Sequence, residues 1–387
     1  MPFNDPMPPL DDIKAPSRQR RLSPYDDDFR VRIQDIFAQR IAAFSRSVML
    51  ECELTTRCLN DCSYCGADIR EQQGEVDFGV LTGHLTAYAA HAEEKGSEFM
   101  VSLVGGDPVL YSQFDALLTF LAERGLRYIV KGNASTLSRK RAERLQVTGC
   151  VGLKLTCYGD EEMHNAHRGL DTFRLLADRT NLARSLGLPV VWHLSVGKEN
   201  LDAMRRALPV IRDMNLEGIS EGRIGKIGRL ADAGDYDEMT PQAWREFLLD
   251  LLHFYHQHRF AGFNLGFRDK LWVPLLVEEG LLDLAPFRGQ GIRLGCDLYS
   301  DMATVDFRGY LKGCGLIESA QKQVVFHPAA EKRTVYLASE TTTLNPDSVC
   351  AACDYRDFCR GCRAITLAST GDMNAQDPQC WVNRLEG

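Results

Sequence analysis

The sequence of 387 residues lacks the features of several common protein classes. No stretch approaches the roughly 18 uninterrupted apolar residues of a membrane-spanning helix. Residues 1–28 are polar, proline-rich and acidic, with no apolar signal region, so we expect a cytoplasmic protein without a membrane partner. The net charge is −8 and no long basic run is present, which argues against a nucleic-acid partner. Internal repeats and low-complexity tracts are also missing.

Cysteine, in contrast, is abundant and clustered. The chain has 13 cysteines, of which three lie between Cys58 and Cys65 and five lie from Cys350 onward. In a large chain without a secretory signal, such close spacing indicates metal ligation rather than disulfides. The rest of the composition, 44% hydrophobic and 25% charged, is that of a globular protein.

From residue 48 onward, strand and helix patterns alternate along the chain. The strand candidates are MLECELT, FMVSLVGG, LRYIVKGN, VGLKLTCYG, PVVWHLSV and GISEGRIG. The helix candidates are 29–46 before the first strand, and then 80–95, 112–125, 137–147, 171–186 and 200–214. Six βα units in series predict an α/β fold, with a parallel sheet that helices wrap into a partial or complete barrel. Active sites of such barrels lie at the C-terminal ends of the strands, and the first cysteines follow the first strand.

We predict four segments along the chain. An N-terminal arm and helix occupy 1–47, the barrel 48–235, a helical bridge 236–290 and a cysteine-rich domain 291–387. The bridge contains the amphipathic stretch TPQAWREFLLDLLHFYHQ. From about residue 290 the pattern changes to short strands, glycines and cysteines, which predicts a small α+β domain.

The first cysteine group has the sequence Cys58-Leu-Asn-Asp-Cys62-Ser-Tyr64-Cys65. Three thiolates in one tight loop can bind three irons of a [4Fe–4S] cube. The fourth iron then has no protein ligand, which suits a cofactor that chelates it. A structural zinc ion is the alternative, but zinc normally takes four ligands and this loop offers no fourth Cys or His.

The pattern C-x3-C-x2-C, with an aromatic residue before the last cysteine, resembles the radical S-adenosylmethionine (SAM) superfamily. The resemblance runs over residues 48–230. Gly105-Gly106-Asp107-Pro108 is similar to the family's GGEP motif, which pairs with the methionine amine of SAM, although Asp replaces Glu. Three later segments also resemble family motifs: Lys131-Gly132-Asn133-Ala134-Ser135, Thr156-Cys157-Tyr158-Gly159 and His164-Asn165-Ala166-His167-Arg168-Gly169.

This resemblance implies a partial (β/α)6 barrel that binds SAM beside a [4Fe–4S] cluster on Cys58, Cys62 and Cys65. The positions that it assigns to SAM are Tyr64, Gly105, Gly106, Asp107, Pro108, Asn133, Ser135, Thr156 and Arg168. It also implies a one-electron reductant, such as flavodoxin or ferredoxin, and a 5′-deoxyadenosyl radical that abstracts hydrogen from an unactivated carbon.

Some of these residues could have a purely structural role instead of a role in cofactor binding. The two glycines let backbone approach a cofactor without a Cβ clash. Tyr64 offers a ring to adenine or simply packs within the loop. His164, His167 and Arg168 either take part in the site or form a self-satisfied polar network over a strand end.

The later cysteines resemble the SPASM extension of radical SAM enzymes, which carries two auxiliary [4Fe–4S] clusters. The resemblance assigns a distal cluster to Cys350, Cys353, Cys359 and Cys380, and a nearer cluster to Cys296, Cys314 and Cys362. Cys359 and Cys362 are separated by two residues, where the family commonly has three. The nearer set lacks a fourth cysteine, so it has an open iron or a ligand such as Asp297 or Asp301. Zinc is the alternative, but seven thiolates do not fill two four-ligand zinc sites.

Three cysteines remain. Free cysteine is commonly a small buried hydrophobic residue, which we expect for Cys52 and Cys150. Cys157 lies at the end of the fourth strand, where its thiol either returns hydrogen to a substrate radical or packs against the helices.

The resemblance leaves two substrate classes open. The first hypothesis is the oxidative maturation of a peptide or protein side chain. Residues 1–47 are too short for a leader-binding domain, so leader binding would need a separate protein. The second hypothesis is the modification of a small molecule such as a tetrapyrrole. An iron–sulfur carrier without catalysis would need neither the barrel nor the Gly105–Pro108 motif.

Overall fold

The computed structural model describes residues 24–44, 46–67, 73–214, 216–231, 233–234, 236–259, 262–289, 296, 302–317 and 348–382. Within them, the strands are β1 (Ser47–Glu53), β2 (Glu98–Val104), β3 (Tyr128–Gly132), β4 (Cys150–Cys157), β5 (Val190–Val196), β6 (Gly218–Arg223), β7 (Asn264–Leu265), β8 (Met302–Val305) and β9 (Leu311–Lys312). The helices are α1 (Asp27–Phe44), α2 (Phe78–Glu94), α3 (Phe114–Glu123), α4 (Arg139–Val147), α5 (Glu161–Arg168), α6 (Thr172–Ser185), α7 (Leu201–Asp213), α8 (Pro241–His258), α9 (Trp272–Glu278) and α10 (Arg363–Thr370).

All of these strands belong to one sheet, in the order β7-β6-β5-β4-β3-β2-β1-β8-β9. Each neighbouring pair from β1 to β7 is parallel, and β8 is also parallel to β1, whereas β9 is antiparallel to β8. The six predicted βα units are therefore present, and they form the expected open, partial barrel.

Strict alternation along the strands separates the hydrophobic core from an inner polar face. On β1, Val48, Leu50 and Cys52 are fully buried in the core that the helices cover. Glu51 lies between them, on the face that lines a cavity. Because neighbouring side chains of a strand point to opposite faces, each strand supplies both the core and the interior of the barrel.

The helices begin where polar side chains satisfy their first free amides. The side chains of Asp77, Ser138, Asp160 and Thr240 each accept a hydrogen bond from the third residue of the helix that follows. Caps of this kind stabilise a helix by roughly 0.5–2 kcal/mol each. The boundaries of the helices predicted before residue 215 lie within three residues of those observed.

Two parts of the fold differ from the sequence-based expectation. The predicted helical bridge contains two helices, α8 and α9, with the short strand β7 between them. Strand β8, from the predicted cysteine-rich domain, extends the barrel sheet by pairing Met49 with Met302. The four-segment division stays a prediction, and Asp297, Asp301 and most of the N-terminal arm lie outside the described residues. No helix in the described part of the chain combines the length and the apolarity of a membrane span.

Candidate active site

A cavity of about 350 Å³ opens at the C-terminal ends of β2 to β6. All three cysteines of the first group, Cys58, Cys62 and Cys65, line it. Six of the positions assigned to SAM line it too, namely Tyr64, Gly105, Gly106, Asn133, Thr156 and Arg168. The structure therefore brings most of the predicted site residues to one place.

Donor groups surround the sulfur atoms of this first group. The Cys58 Sγ accepts hydrogen bonds from the Asn60 amide at 3.4 Å and from the Asn133 Nδ2 at 3.3 Å. The Cys62 Sγ accepts from the Arg168 Nη1 at 3.5 Å. Burial raises the pKa of the Cys58 and Cys65 thiols, whereas hydrogen bonds of this type favour the thiolate.

This donor set fits an iron–sulfur cube better than a single ion. Among the described residues, no three His, Cys, Asp or Glu side chains converge as one metal ion requires. A cube takes one thiolate at each iron, so its ligands stand apart around a shared cavity. Cys58, Cys62 and Cys65 would hold such a cluster, and their role as its ligands stays a prediction.

The turn after β2 passes directly against the chain that enters the cysteine loop. The Gly106 amide donates to the Thr55 carbonyl at 2.7 Å, and the Asp107 amide donates to the Arg57 carbonyl at 2.7 Å. A Cβ on either Gly105 or Gly106 would clash with these carbonyl groups, and Gly105 has a φ of +134°. The two glycines are therefore required by the protein's own backbone, in addition to any bound cofactor.

Asp107 lies behind the cavity wall. Its side chain is fully buried and does not line the cavity. Its Oδ2 accepts from the Thr136 Oγ1 at 2.7 Å and from the Asn133 Nδ2 at 3.4 Å, and its Oδ1 accepts from the Val109 amide at 3.3 Å. Burial raises its pKa, and these hydrogen bonds oppose the rise. Asp107 is thus placed to orient Asn133, while Pro108 and Ser135 also stand outside the cavity lining.

Arg168 connects several of the predicted residues. Its Nη1 donates to the Tyr64 hydroxyl at 2.8 Å, and its Nη2 donates to the Asn133 Oδ1. No ion pair of Arg168 occurs among the described residues, although its guanidinium faces the cavity. A buried cation without a carboxylate partner suits the carboxylate of a bound amino acid such as the methionine part of SAM.

The aromatic and histidine residues nearby are largely satisfied by the protein. Tyr64 stacks on Tyr158, with ring centroids 3.9 Å apart and planes 2° from parallel. The His164 Nδ1 accepts from the Tyr158 amide at 3.2 Å, and the His167 Nδ1 contacts the Ser63 Oγ at 3.2 Å. Burial, with the Arg168 charge, lowers the pKa of His164 to about 3. His164 and His167 therefore belong to a polar network over the strand end.

Cys157 does not face the cavity. It is fully buried in the hydrophobic core, and its Sγ donates to the Gly159 carbonyl at 3.4 Å. Alternation along β4 places Thr156 in the cavity and Cys157 on the opposite face, so the structure gives no support to hydrogen return by this thiol. Cys52 and Cys150 are also buried in the core, as expected.

A group of ionisable residues on the inner face of the barrel was not predicted from the sequence. Lys131 forms an ion pair with Glu51, and the Lys312 Nζ lies 3.0 Å from the Glu53 Oε1. Burial raises the pKa of Glu53 to about 7 although Lys312 opposes the rise. The remaining members of this group are Lys154, His193 and Arg268. A charged residue between two apolar ones, as in LKL and WHL, was the available clue.

Four of the later cysteines lie close together. Cys350, Cys353, Cys359 and Cys380 line one small cavity of about 30 Å³. Burial, together with the nearby Cys296 thiol, raises the pKa of the half-buried Cys362 thiol to about 11, although the Arg223 charge opposes the rise. Cys314 follows β9, the edge strand that pairs with β8. Cluster ligation by these seven residues is untested and stays a prediction.

A buried ion-pair network joins the barrel to the cysteine-rich region. Arg223, at the end of β6, donates to both carboxylate oxygens of Asp377 at 2.7 and 2.8 Å, and to Asp269 at 2.7 Å. Asp377 also accepts from the Cys362 amide at 2.7 Å and from the Gln379 amide at 3.0 Å. Arg223 lines the main cavity, so this network runs from the cavity wall to the backbone of a predicted cluster ligand.

Comparisons with known proteins agree with this geometry. Residues 52–208 match the family model described as the Radical SAM superfamily. The chain is 22% identical to the AdoMet-dependent heme synthase of Nitratidesulfovibrio vulgaris, over 85% of this chain and 90% of that protein. It is 21% identical to the Fe-coproporphyrin III synthase of Methanosarcina barkeri, over 86% of this chain and 87% of that protein. Identity to the PqqA peptide cyclase of Granulibacter bethesdensis is also 21%, over 85% of each chain.

Solved structures show the same fold. SuiB of Streptococcus suis bound to S-adenosylmethionine superposes with a TM-score of 0.65 at 15% identity, covering 91% of this chain and 81% of SuiB. The structure of anSMEcpe with bound AdoMet gives a TM-score of 0.64 at 15% identity, covering 86% and 93%. The fold and the family match imply a [4Fe–4S] cluster and SAM as cofactors. The match over residues 52–208 identifies a radical SAM domain in this enzyme, and its cysteine-rich C-terminal region fits a SPASM extension.

Proposed function

We propose that this enzyme uses a 5′-deoxyadenosyl radical to abstract hydrogen from an unactivated carbon of a substrate held in the main cavity. One observation carries the proposal: a single cavity joins Cys58, Cys62 and Cys65 to the inner faces of β3 to β6. A substrate on those strands would therefore lie beside SAM at the cysteine loop. A bound [4Fe–4S] cluster would supply the single electron that splits SAM.

The residues of the chain have separate tasks in this proposal. Arg168 binds the SAM carboxylate through its guanidinium, which has no carboxylate partner among the described residues. Asn133 contributes a polar wall, held in place by Asp107 from behind. The turn at Gly105 and Gly106 brings backbone close to the cysteine loop, and Tyr64 closes the adenine side.

We also propose that the overall reaction is an oxidation. After hydrogen abstraction the substrate radical must lose one electron, and two auxiliary [4Fe–4S] clusters would accept it. The gathering of Cys350, Cys353, Cys359 and Cys380 around one cavity supports the distal cluster. The proximity of Cys296 to Cys362 supports the nearer one.

The first candidate substrate is a peptide or protein side chain. A curated relative is named a peptide cyclase, and SuiB has been solved with its precursor peptide SuiA. The anSMEcpe protein has likewise been solved with a peptide. A separate leader-binding protein would then assist, and a precursor-peptide gene beside this one would favour this candidate.

The second candidate is a small molecule that carries carboxylates, such as a tetrapyrrole. Two relatives that match most of the chain are named for heme and Fe-coproporphyrin III synthesis. The inner face of the barrel also carries Lys154 and Arg268, neither of which forms an ion pair with a described residue, and basic groups of this kind suit an acidic substrate.

Formation of 5′-deoxyadenosine tests the shared part of the proposal. Anaerobically reconstituted enzyme should produce it from SAM after reduction with dithionite. The triple variant Cys58→Ala, Cys62→Ala, Cys65→Ala should produce none, whereas Cys150→Ala, a change in the core, should behave as the parent. Product formation by the triple variant would contradict the proposal. Transfer of deuterium from a labelled porphyrin or peptide into 5′-deoxyadenosine separates the two candidates.

A further inference from the structure

The inner face of the barrel holds more positive charge than the protein neutralises. Lys131 on β3 and Lys154 on β4 are register partners, so they lie side by side. Glu51 pairs with Lys131. Lys154 makes no hydrogen bond or ion pair with any described residue. The charges of Arg268 and Lys131 add to burial and lower the pKa of Lys154 well below its usual value.

Arg268 is the second unneutralised cation. It lines the cavity, and its Nη1 donates to the His193 Nε2 at 3.3 Å. Within the described part of the chain it forms no ion pair. A guanidinium can only donate, so the His193 Nε2 must accept. The His193 Nδ1 then carries the ring proton, which it donates to the Ser220 Oγ at 3.1 Å.

His193 is consequently neutral and orients Arg268 without adding charge. Burial and the neighbouring charges of Lys154 and Arg268 lower the pKa of His193 well below its ordinary value, which agrees with this assignment. A Cβ on Gly222 would lie 2.9 Å from the His193 ring, so a glycine at the end of β6 is needed for this packing.

The nearby carboxylates are committed elsewhere. The Glu221 Oε1 accepts from the Asp269 amide at 2.7 Å and from the Trp272 Nε1 at 2.9 Å, which holds this carboxylate against Trp272, although its buried Oε2 has no hydrogen-bond partner among the described residues. Glu51 pairs with Lys131. Lys154 lies two residues before Thr156 on the same face of β4. It is therefore further from the C-terminal ends of the strands, where the residues assigned to SAM lie. The carboxylate of SAM at Arg168 does not account for this charge.

We propose that Lys154, beside Lys131 on the inner face of the barrel, and Arg268, in the cavity lining, form an anion site that binds a carboxylate group of the substrate. The site rests on the proposed function and refines its second candidate, because it selects a small molecule with acidic side chains. A carboxylate beside the two groups favours the charged form of Lys154, whose pKa burial and the neighbouring charges lower, and it offsets the repulsion between like charges.

Paired ligands test the site directly. The probes are iron–coproporphyrin III and its tetramethyl ester, which share the ring but differ in charge, titrated by absorbance into cluster-loaded enzyme. The parent should bind the tetra-acid at least about tenfold more tightly than the ester, since each charge-assisted contact contributes roughly a factor of ten. Lys154→Met and Arg268→Met should each weaken tetra-acid binding about tenfold and leave ester binding unchanged.

Two further variants complete the design. Lys154→Arg retains the charge and should preserve the preference for the acid. Lys140→Met removes an exposed lysine of α4 and should change neither affinity. Equal binding of acid and ester by the parent would overturn the inference without relying on any variant. Met variants that still prefer the tetra-acid over the ester would also overturn it. The same holds for a Lys154→Met variant that shifts only the cluster's reduction potential. Absence of SAM cleavage by the parent would instead refute the proposed function.

Discussion

The buried carboxylate of Asp107 holds Asn133 and Thr136 beside the cavity from a position outside its lining. Asp107→Ala should therefore weaken SAM binding about tenfold or more, because Asn133 loses its support and a hydrogen bond to a charged group contributes roughly 1.5–3 kcal/mol. Calorimetric titration with SAM on cluster-loaded protein measures this. Asp115→Ala, at an exposed helix position, serves as the control. If Asp107→Ala binds SAM as tightly as the parent, Asp107 only caps the turn.

His164 makes the folding stability of the protein decrease at low pH. Its pKa falls to about 3 in the folded state, whereas an unfolded histidine titrates near its usual value of about 6.5. Stability from this residue is therefore complete above about pH 6.5 and is lost as pH falls towards 3. Relative to His164→Asn, the parent should lose about 2 kcal/mol of unfolding free energy between pH 7 and pH 5. Urea unfolding at both pH values measures the difference, and a pH-independent difference would contradict it.

Among the structural elements, the turn after β2 packs tightly against the chain that enters the cysteine loop. Gly106→Ala should prevent cluster assembly, because the added methyl group would meet the Arg57 and Thr56 carbonyls of the cysteine loop. Gly83→Ala in α2 is a matched control, since a Cβ there meets nothing within 4 Å. That change should raise helix stability by roughly 0.5–1 kcal/mol. Iron content and thermal melting report both effects, and full iron loading of Gly106→Ala would show that the turn can relax.

Elements with a strong local pattern were predictable from the sequence. The six strands follow from alternation, and the cysteine sets follow from spacing. Helix α5 was missed because its sequence, EEMHNAHR, has few apolar positions from which a period could be recognised. The group of Lys154, His193 and Arg268 could not be predicted, because its members come together only when the barrel sheet has assembled. The role of Asp107 behind the cavity wall was likewise a matter of tertiary contacts.

At the scale of the whole molecule, the Arg223–Asp377 network holds the cysteine-rich region against the barrel. Asp377→Asn should destabilise the protein by about 3 kcal/mol, because it leaves a buried guanidinium short of one negative charge. Thermal unfolding followed by circular dichroism measures the loss. Asp213→Asn breaks an exposed pair with Arg212 and should have little effect. Equal melting of the two variants would show that other contacts hold the regions together.

The iron content of the protein tests how many clusters the whole chain binds. We expect three [4Fe–4S] clusters, so the triple alanine variant of Cys58, Cys62 and Cys65 should lose about four irons and keep about eight. Chemical iron analysis and electron paramagnetic resonance measure this. Zinc in the C-terminal region, or only one remaining cluster, would contradict the division of the later seven cysteines.

The pairing of β8 with β1 has a consequence for synthesis of the chain. Met49 and Met302 are neighbours in the sheet but are separated by about 250 residues of sequence. At roughly 5–20 residues per second, the ribosome needs about 12–50 seconds to deliver β8 after β1 has emerged. During that interval β1, which leads into the cysteine loop, has an unpaired edge of the kind that invites aggregation. Nascent chains stalled before residue 302 should therefore depend on chaperones, whereas release of the finished chain closes the edge.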